Sequence, residues 1–356
     1  MAITKPWERP DEPIVFQFTH PGAEHDKYEK IGKDKLLLKP WNTQKVGSST
    51  SHRRKYICSE GEYITKGKQE KSLLDFWGEW EPDSIAIPFN EADDKEADDK
   101  DWLPKYSNKP FYMGLKDTYG YSNETPLNKK ISSIKNKQAS SIGMDVYYQN
   151  TDPFVFGDRF IYSSICKPYA TLNIKPGSII LFGSTHNYDG EMRYRVDTVF
   201  VVKVIIDLVT DKNGNYIFDE YKDGDKDIHY NTTLKHLDPN DPFSHKIFIG
   251  ATPQDPVEGM YSFIPAHVSD GKTNRERYGT LVIDTDFEKY KKIKDTVQWQ
   301  GCISCIGKDE VTDFWIALKE YTESKGYVPA VKINLPPTFD SIDELSSWID
   351  SIDTGN

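Results

Sequence analysis

The chain has 356 residues, 28% of them charged and 37% hydrophobic, with 21 tyrosines, 17 phenylalanines and 8 tryptophans, a composition that buries a core and excludes a disordered chain. A formal net charge of −11 opposes sequence-independent binding to nucleic acid, which rests on net cationic surface. No apolar run approaches the ~20 residues of a membrane-crossing helix, the Met1-Ala-Ile-Thr-Lys-Pro-Trp7 start lacks the order of a secretion signal, and four cysteines are too few for a disulfide framework, so a cytoplasmic protein with no structural disulfide is expected.

From the N-terminus to about residue 90, short apolar runs alternate with turn chemistry, and strands and hairpins are the economical reading. Residues 14–18 lead into Phe18-Thr-His20-Pro-Gly-Ala-Glu24-His25, where two histidines flank a Pro-Gly turn with a glutamate between them; the residue types suit a metal, but the spacing matches no zinc motif. Pro40-Trp41-Asn42 sets an indole beside an amide. Gly47-Ser-Ser-Thr-Ser51 then runs into His52-Arg53-Arg54-Lys55, a cationic cluster in an acidic chain that suits an anion, although it lacks the second glycine and the lysine of a phosphate loop. Strands are expected at 55–58 and 62–65, on either side of a Ser59-Glu-Gly61 turn.

In an extended Phe76-Trp77-Gly-Glu79-Trp80-Glu81-Pro82 the side chains alternate between faces, so Trp77, Glu79 and Glu81 fall together and Phe76 and Trp80 fall opposite. Two carboxylates beside an indole suit a shared proton or a divalent cation; the plainer reading is an edge strand whose polar face meets water. Glu91-Ala-Asp-Asp-Lys95 repeats at once as Glu96-Ala-Asp-Asp-Lys100, with no apolar face to pack, and the stretch after it is rich in Asn, Lys, Ser and Tyr, so a long loop excursion is expected at about 91–145.

The strongest regular signal lies between 153 and 218. Tyr148-Gln-Asn150-Thr-Asp152-Pro153 reads as a turn feeding a strand at 153–162, Pro176-Gly177 as a turn before a strand at 178–182, and 194–208, apolar on both faces, as a central strand. Asp158 and Asp197 each interrupt an apolar run, so each is expected to be a buried carboxylate that needs a partner, with Arg159, Arg193 and Arg195 the near cations. Asn213-Gly214 marks a hairpin, and further strands are expected at 246–249 and 278–283. Cys302-Ile-Ser-Cys305 has dithiol spacing, without the helix start a redox thiol uses or the second pair that zinc needs. Helices come only at the end: Asp309 as a cap, Val311, Phe314, Trp315 and Leu318 at helical spacing and Gly326 as the stop, then a capping box at Ser341 and Glu344 ahead of Leu345, Trp348, Ile349 and Ile352.

The expected fold class is α+β, mainly antiparallel β in a barrel-like or sandwich-like sheet, with two C-terminal amphipathic helices. Residues 1–300 are expected to form a β-rich ligand-pocket domain and 301–356 a helical segment packed on it.

Taken as a set, the blocks at 18–25, 40–42, 52–55 and 76–82, with Gln149-Asn-Thr-Asp-Pro-Phe-Val-Phe-Gly-Asp158 and Pro176-Gly-Ser-Ile-Ile-Leu-Phe-Gly-Ser184, resemble a family of bacterial proteins with no assigned activity, over about the first 200 residues. The Gly157-Asp158 strand and the Pro176-Gly177 turn with its following strand are similar, at the level of fold, to small barrels of the PUA and ASCH kind; that resemblance implies binding of nucleotides or modified bases.

An N-terminal pocket is therefore expected, with Glu79, Glu81 and Asp158 as catalytic candidates, cations at Arg53, Arg54 and Lys55, and stacking surfaces at Trp41 and Trp77. His20, His25, Asn42, His52, Asn150, Asp152 and Arg159 complete the expected ligand-binding set. The mixture suits an enzyme acting on a nucleotide-like or other anionic small molecule, with a divalent cation as candidate cofactor. The alternatives are a module that binds or senses a nucleotide or modified base, and a subunit whose aromatic blocks meet a protein partner.

Overall fold

A computed structural model describes residues 11–20, 27–31, 35–39, 54–79, 84–85, 105–106, 111–112, 153–164, 173–188, 191–207, 209–210, 216–217, 246–269, 281–289, 303–335 and 347. Strand β1 spans Val15–His20, β2 Arg54–Thr65, β3 Lys68–Glu79, β4 Ile161–Ser163, β5 Ile179–Tyr188, β6 Glu191–Asp207, β7 Lys246–Gly250, β8 Ile264–Val268, β9 Leu281–Ile283 and β10 Ile303–Ile306; helix α1 covers Val311–Ser324 and β11 Val328–Ile333.

β2 and β3, twelve residues each, form a hairpin turned by Lys66 and Gly67 alone, both at positive φ (49° and 73°), the two-residue geometry that matches strand twist. The expected turn at Ser59-Glu-Gly61 is not there: β2 runs straight through it. Gly61 serves close approach instead, because a Cβ at that position would lie 2.5 Å from the Lys332 carbonyl oxygen and 2.8 Å from the Leu74 side chain. That crowding comes from β11, which pairs antiparallel with β2 while β3 pairs with β8 and β8 with β11. The four strands close a small antiparallel barrel, which leaves no free edge in the ring.

The second sheet has seven strands in the order β10-β1-β5-β6-β7-β4, with β9 on the free part of β6. β1 lies parallel to β5, and the long β6 carries β5 on one side and β9 then β7 on the other. β5 and β6 cross a bulge: Phe182 faces Thr198 while Gly183 faces Val196, so Asp197 is the extra residue. The run from Pro153 to Tyr162, expected as one strand, folds back on itself at Gly157 (φ 89°), with Phe154 and Ile161 exchanging backbone hydrogen bonds of 2.6 and 2.8 Å. All four of its aromatics, Phe154, Phe156, Phe160 and Tyr162, are buried.

Two apolar clusters follow. The first lines the inner face of the barrel with Tyr63, Leu74, Phe76, Ile264, Ala266, Ala330 and Ile333 and continues through Phe154 and Phe156 to Phe18, Tyr162, Phe182 and Phe200 of the larger sheet. The second joins outer barrel residues Ile64 and Val331 to Val15, Leu181, Val199 and Val201 through the apolar stripe of α1, Val311, Phe314, Trp315, Leu318 and Tyr321. Asp309 does not cap this helix: it sits inside a short 3-10 turn, Lys308–Glu310, and Glu310 occupies the N-cap without a side-chain capping bond to the helix. Gly326 (φ 82°) does end it. The second expected helix lies outside the described residues except Ser347, which is helical. The segment read as helical also contributes a strand to each sheet, β10 and β11. No helix among the described residues is long and apolar enough to cross a membrane.

Candidate functional site

Residues directly opposite each other in an antiparallel pair share a face. The register of β2 and β3 sets Arg54 against Glu79, Tyr56 against Trp77 and Cys58 against Asp75, and β8 continues the last row by setting His267 against Asp75. One outer face of the barrel thus carries the positions Arg54, Trp77, Glu79, Asp75 and His267. Lys55, opposite Gly78, falls on the other face with Phe76, whose ring meets Phe156 in the core. Over Leu74–Phe76 β3 is flanked on both sides, by β2 and β8, and over Trp77–Glu79 it pairs with β2. On its outer face Trp77 is 8% and Asp75 6% exposed.

The end of α1 brings an aromatic ring to this face. Gly326 N–H donates to the Glu323 carbonyl at 3.0 Å and Tyr327 N–H to that of Thr322 at 3.1 Å, the paired bonds of a Schellman motif, which needs the left-handed residue that glycine supplies. The helix end is itself anchored. Tyr321 Oη accepts from the Asp284 N–H at 3.1 Å, lies 3.0 Å from the Val282 carbonyl oxygen and from Asp286 Oδ1, and Lys325 reaches Asp286 at 2.5 Å. Tyr327 then stacks on His267, ring centroids 4.2 Å apart and planes 30° from parallel.

Burial pushes the Tyr327 phenol up to about 12, against the pull of the positive Arg195 near it. Tyr327 therefore stays a neutral phenol at neutral pH. Arg195, 4% exposed, stands two residues before the bulged Asp197, which is also buried. The bulge depends on Gly183, where a Cβ would lie 1.8 Å from the Arg195 carbonyl oxygen. A buried acid and a half-buried imidazole are thus cross-strand partners, a phenol stacks on the imidazole, and a buried guanidinium lies near that phenol. Such a mixture supports proton transfer and anion binding.

The other expected site residues fall elsewhere or outside the description. Asp158, expected to be buried, is 74% exposed in the bend after Gly157 and pairs with Lys332; the Gly-Asp pair is a chain reversal, and so its carboxylate meets water. Arg159 lies 3.8 Å from Asp255, which Lys203 holds at 2.8 Å, and Arg193 pairs with Asp284 at 3.2 Å. His20 ends β1 opposite Ser184. Cys305 lies on β10. His25, Trp41, Asn42, His52, Arg53, Glu81, Asn150, Asp152 and Cys302 lie outside the described residues. Among the described residues no three His, Cys, Asp or Glu side chains gather as metal ligands.

Sequence reasoning missed Asp75, His267 and Tyr327. The available signal was an aspartate between Leu74 and Phe76, and a histidine between Ala266 and Val268, each interrupting an apolar strand. Comparison with family models, with curated proteins and with solved structures finds no match to the chain.

Proposed function

We propose that the chain is an enzyme acting on an anionic, nucleotide-like small molecule at the outer face of the barrel hairpin. The observation that supports this reading is the register itself, which sets a cation position (Arg54), two carboxylate positions (Asp75, Glu79), an indole (Trp77) and an imidazole (His267) on one face of three adjacent strands. In this reading Arg54 meets the anionic group, Trp77 forms the apolar floor, and Glu79 is the candidate ligand of a divalent cation.

Thermal shifts of the full chain with ATP, AMP and inorganic phosphate, each with and without Mg2+, test it. A bound anion at 100 times its Kd adds about 2.7 kcal/mol to stability. The expected result is a shift that Arg54→Ala removes and a Mg2+ dependence that Glu79→Gln removes. Binding without turnover assigns a sensing module instead. No shift with any of these favours the protein-interface alternative.

A further inference from the structure

We infer that His267 is the proton-transfer residue of this site, oriented by Asp75 from the neighbouring strand and clamped by the ring of Tyr327; the inference rests on the ligand reading above. His267 and Asp75 are direct cross-strand partners, which brings their Cβ atoms to about 4.5–5.5 Å. One face of the imidazole is taken by Tyr327 at 4.2 Å, so the ring has little freedom to turn. His267 is nevertheless only half-buried, which leaves part of the ring accessible to a ligand, whereas Asp75 behind it is buried. A buried carboxylate beside an imidazole selects one ring tautomer and stabilises the imidazolium formed when the ring takes a proton.

Arg195 and the helix end complete the surroundings. Tyr327 is held protonated by burial, Arg195 lies near its phenol, and the Schellman motif at Gly326 fixes where the ring arrives. In a phosphoryl transfer the imidazole takes one proton from an attacking water or hydroxyl as its oxygen bonds to phosphorus. It returns that proton to the departing oxygen as the other P–O bond breaks, and ends neutral. Asp75 and Tyr327 touch no substrate in this scheme; they are positioning residues.

The test combines 15N NMR of the His267 ring in the full-length chain with phosphate release from ATP. The wild type is expected to show two well-separated ring nitrogen signals, one tautomer, which Asp75→Asn collapses toward an average. Tyr327→Phe should keep the ring-current shift on the imidazole protons and Tyr327→Leu should lose it. His267→Gln should reduce phosphate release at least 100-fold while the thermal shift with ATP persists. A wild-type ring averaged between tautomers overturns the inference whatever binds. ATP binding without phosphate release, or release by His267→Gln at the wild-type rate, overturns the proton-transfer role. Absence of any thermal shift removes the ligand reading instead, and the two failures are told apart because the tautomer measurement needs no ligand.

Discussion

The ring of Tyr327 rests on that of His267 at 4.2 Å, and it is the left-handed Gly326 immediately before it, at φ 82°, that turns the chain from helix to strand and delivers it there. A local backbone requirement in one element thus sets the environment of a side chain on another.

Gly326→Ala is the first consequence. No atom lies within 4 Å of the position a Cβ would take, so the cost is conformational alone, about 1 kcal/mol for a side chain held at positive φ. Urea unfolding should show that loss, and the imidazole protons of His267 should shift as Tyr327 moves. A variant of unchanged stability would mean the Schellman motif is not formed in solution.

Gly183→Ala should be far worse. Its methyl group would lie 1.8 Å from the Arg195 carbonyl oxygen and 2.9 Å from the carbonyl carbon, backbone atoms that a rotamer change cannot move. The bulge that sets apart Asp197 would have to open, at a cost of about 3 kcal/mol. Denaturant midpoints measure this directly. A loss under about 1 kcal/mol would contradict the register between β5 and β6.

Gly326 and Gly61 show what a linear reading captures. Gly326 was legible because it follows an apolar stripe of helical period and so stands where a stop belongs. Gly61 was not, because a glycine needed for close approach of β11 is indistinguishable in the chain from one needed for a turn, and the strand that crowds it lies some 270 positions away. The actual hairpin turn, Lys66-Gly67, lacked the Asn-Gly or Asp-Gly signature. Alternation along 76–79 correctly groups Trp77 with Glu79 on one face. It carries no information on which distant strand adds His267 to that face, since the pairing of β3 with β8 joins residues far apart in the chain, Asp75 and His267. Asp158 misled for the opposite reason: an acid in an apolar run marks a reversal as readily as a buried charge.

Alkaline stability follows from two phenols that desolvation keeps from ionising, Tyr261 and Tyr327. Tyr261 and Tyr327 are each pushed up to about 12 by burial, Tyr261 with the negative Glu323 adding to the rise. An unfolded tyrosine ionises near 10. Below that pH both states hold the protons and the contribution is fully present. Between pH 10 and 12 the unfolded chain releases them first, so stability falls as pH rises, by up to about 1.4 kcal/mol per pH unit for each phenol. Unfolding measured from pH 9 to 12 should steepen above 10, and Tyr261→Phe with Tyr327→Phe should flatten that limb. An unchanged slope in the double variant would show that neither phenol is protected from ionisation.

The register of the barrel hairpin underlies the site and is open to a charge-swap test. Arg54 and Glu79 are direct partners, while Lys55 faces Gly78 on the opposite side of the hairpin. Arg54→Glu would set like charges opposite one another, a loss of about 0.5–1 kcal/mol at low ionic strength. Adding Glu79→Arg should recover most of it, because the pair is restored with its signs exchanged. Lys55→Glu supplies the control: Glu79→Arg should not rescue it, since the two positions lie on different faces. A slip of one residue would exchange these outcomes, because it moves every side chain of one strand to the other face. The double-mutant cycle therefore decides whether Arg54 shares the face that carries Trp77 and Glu79, before any ligand is added.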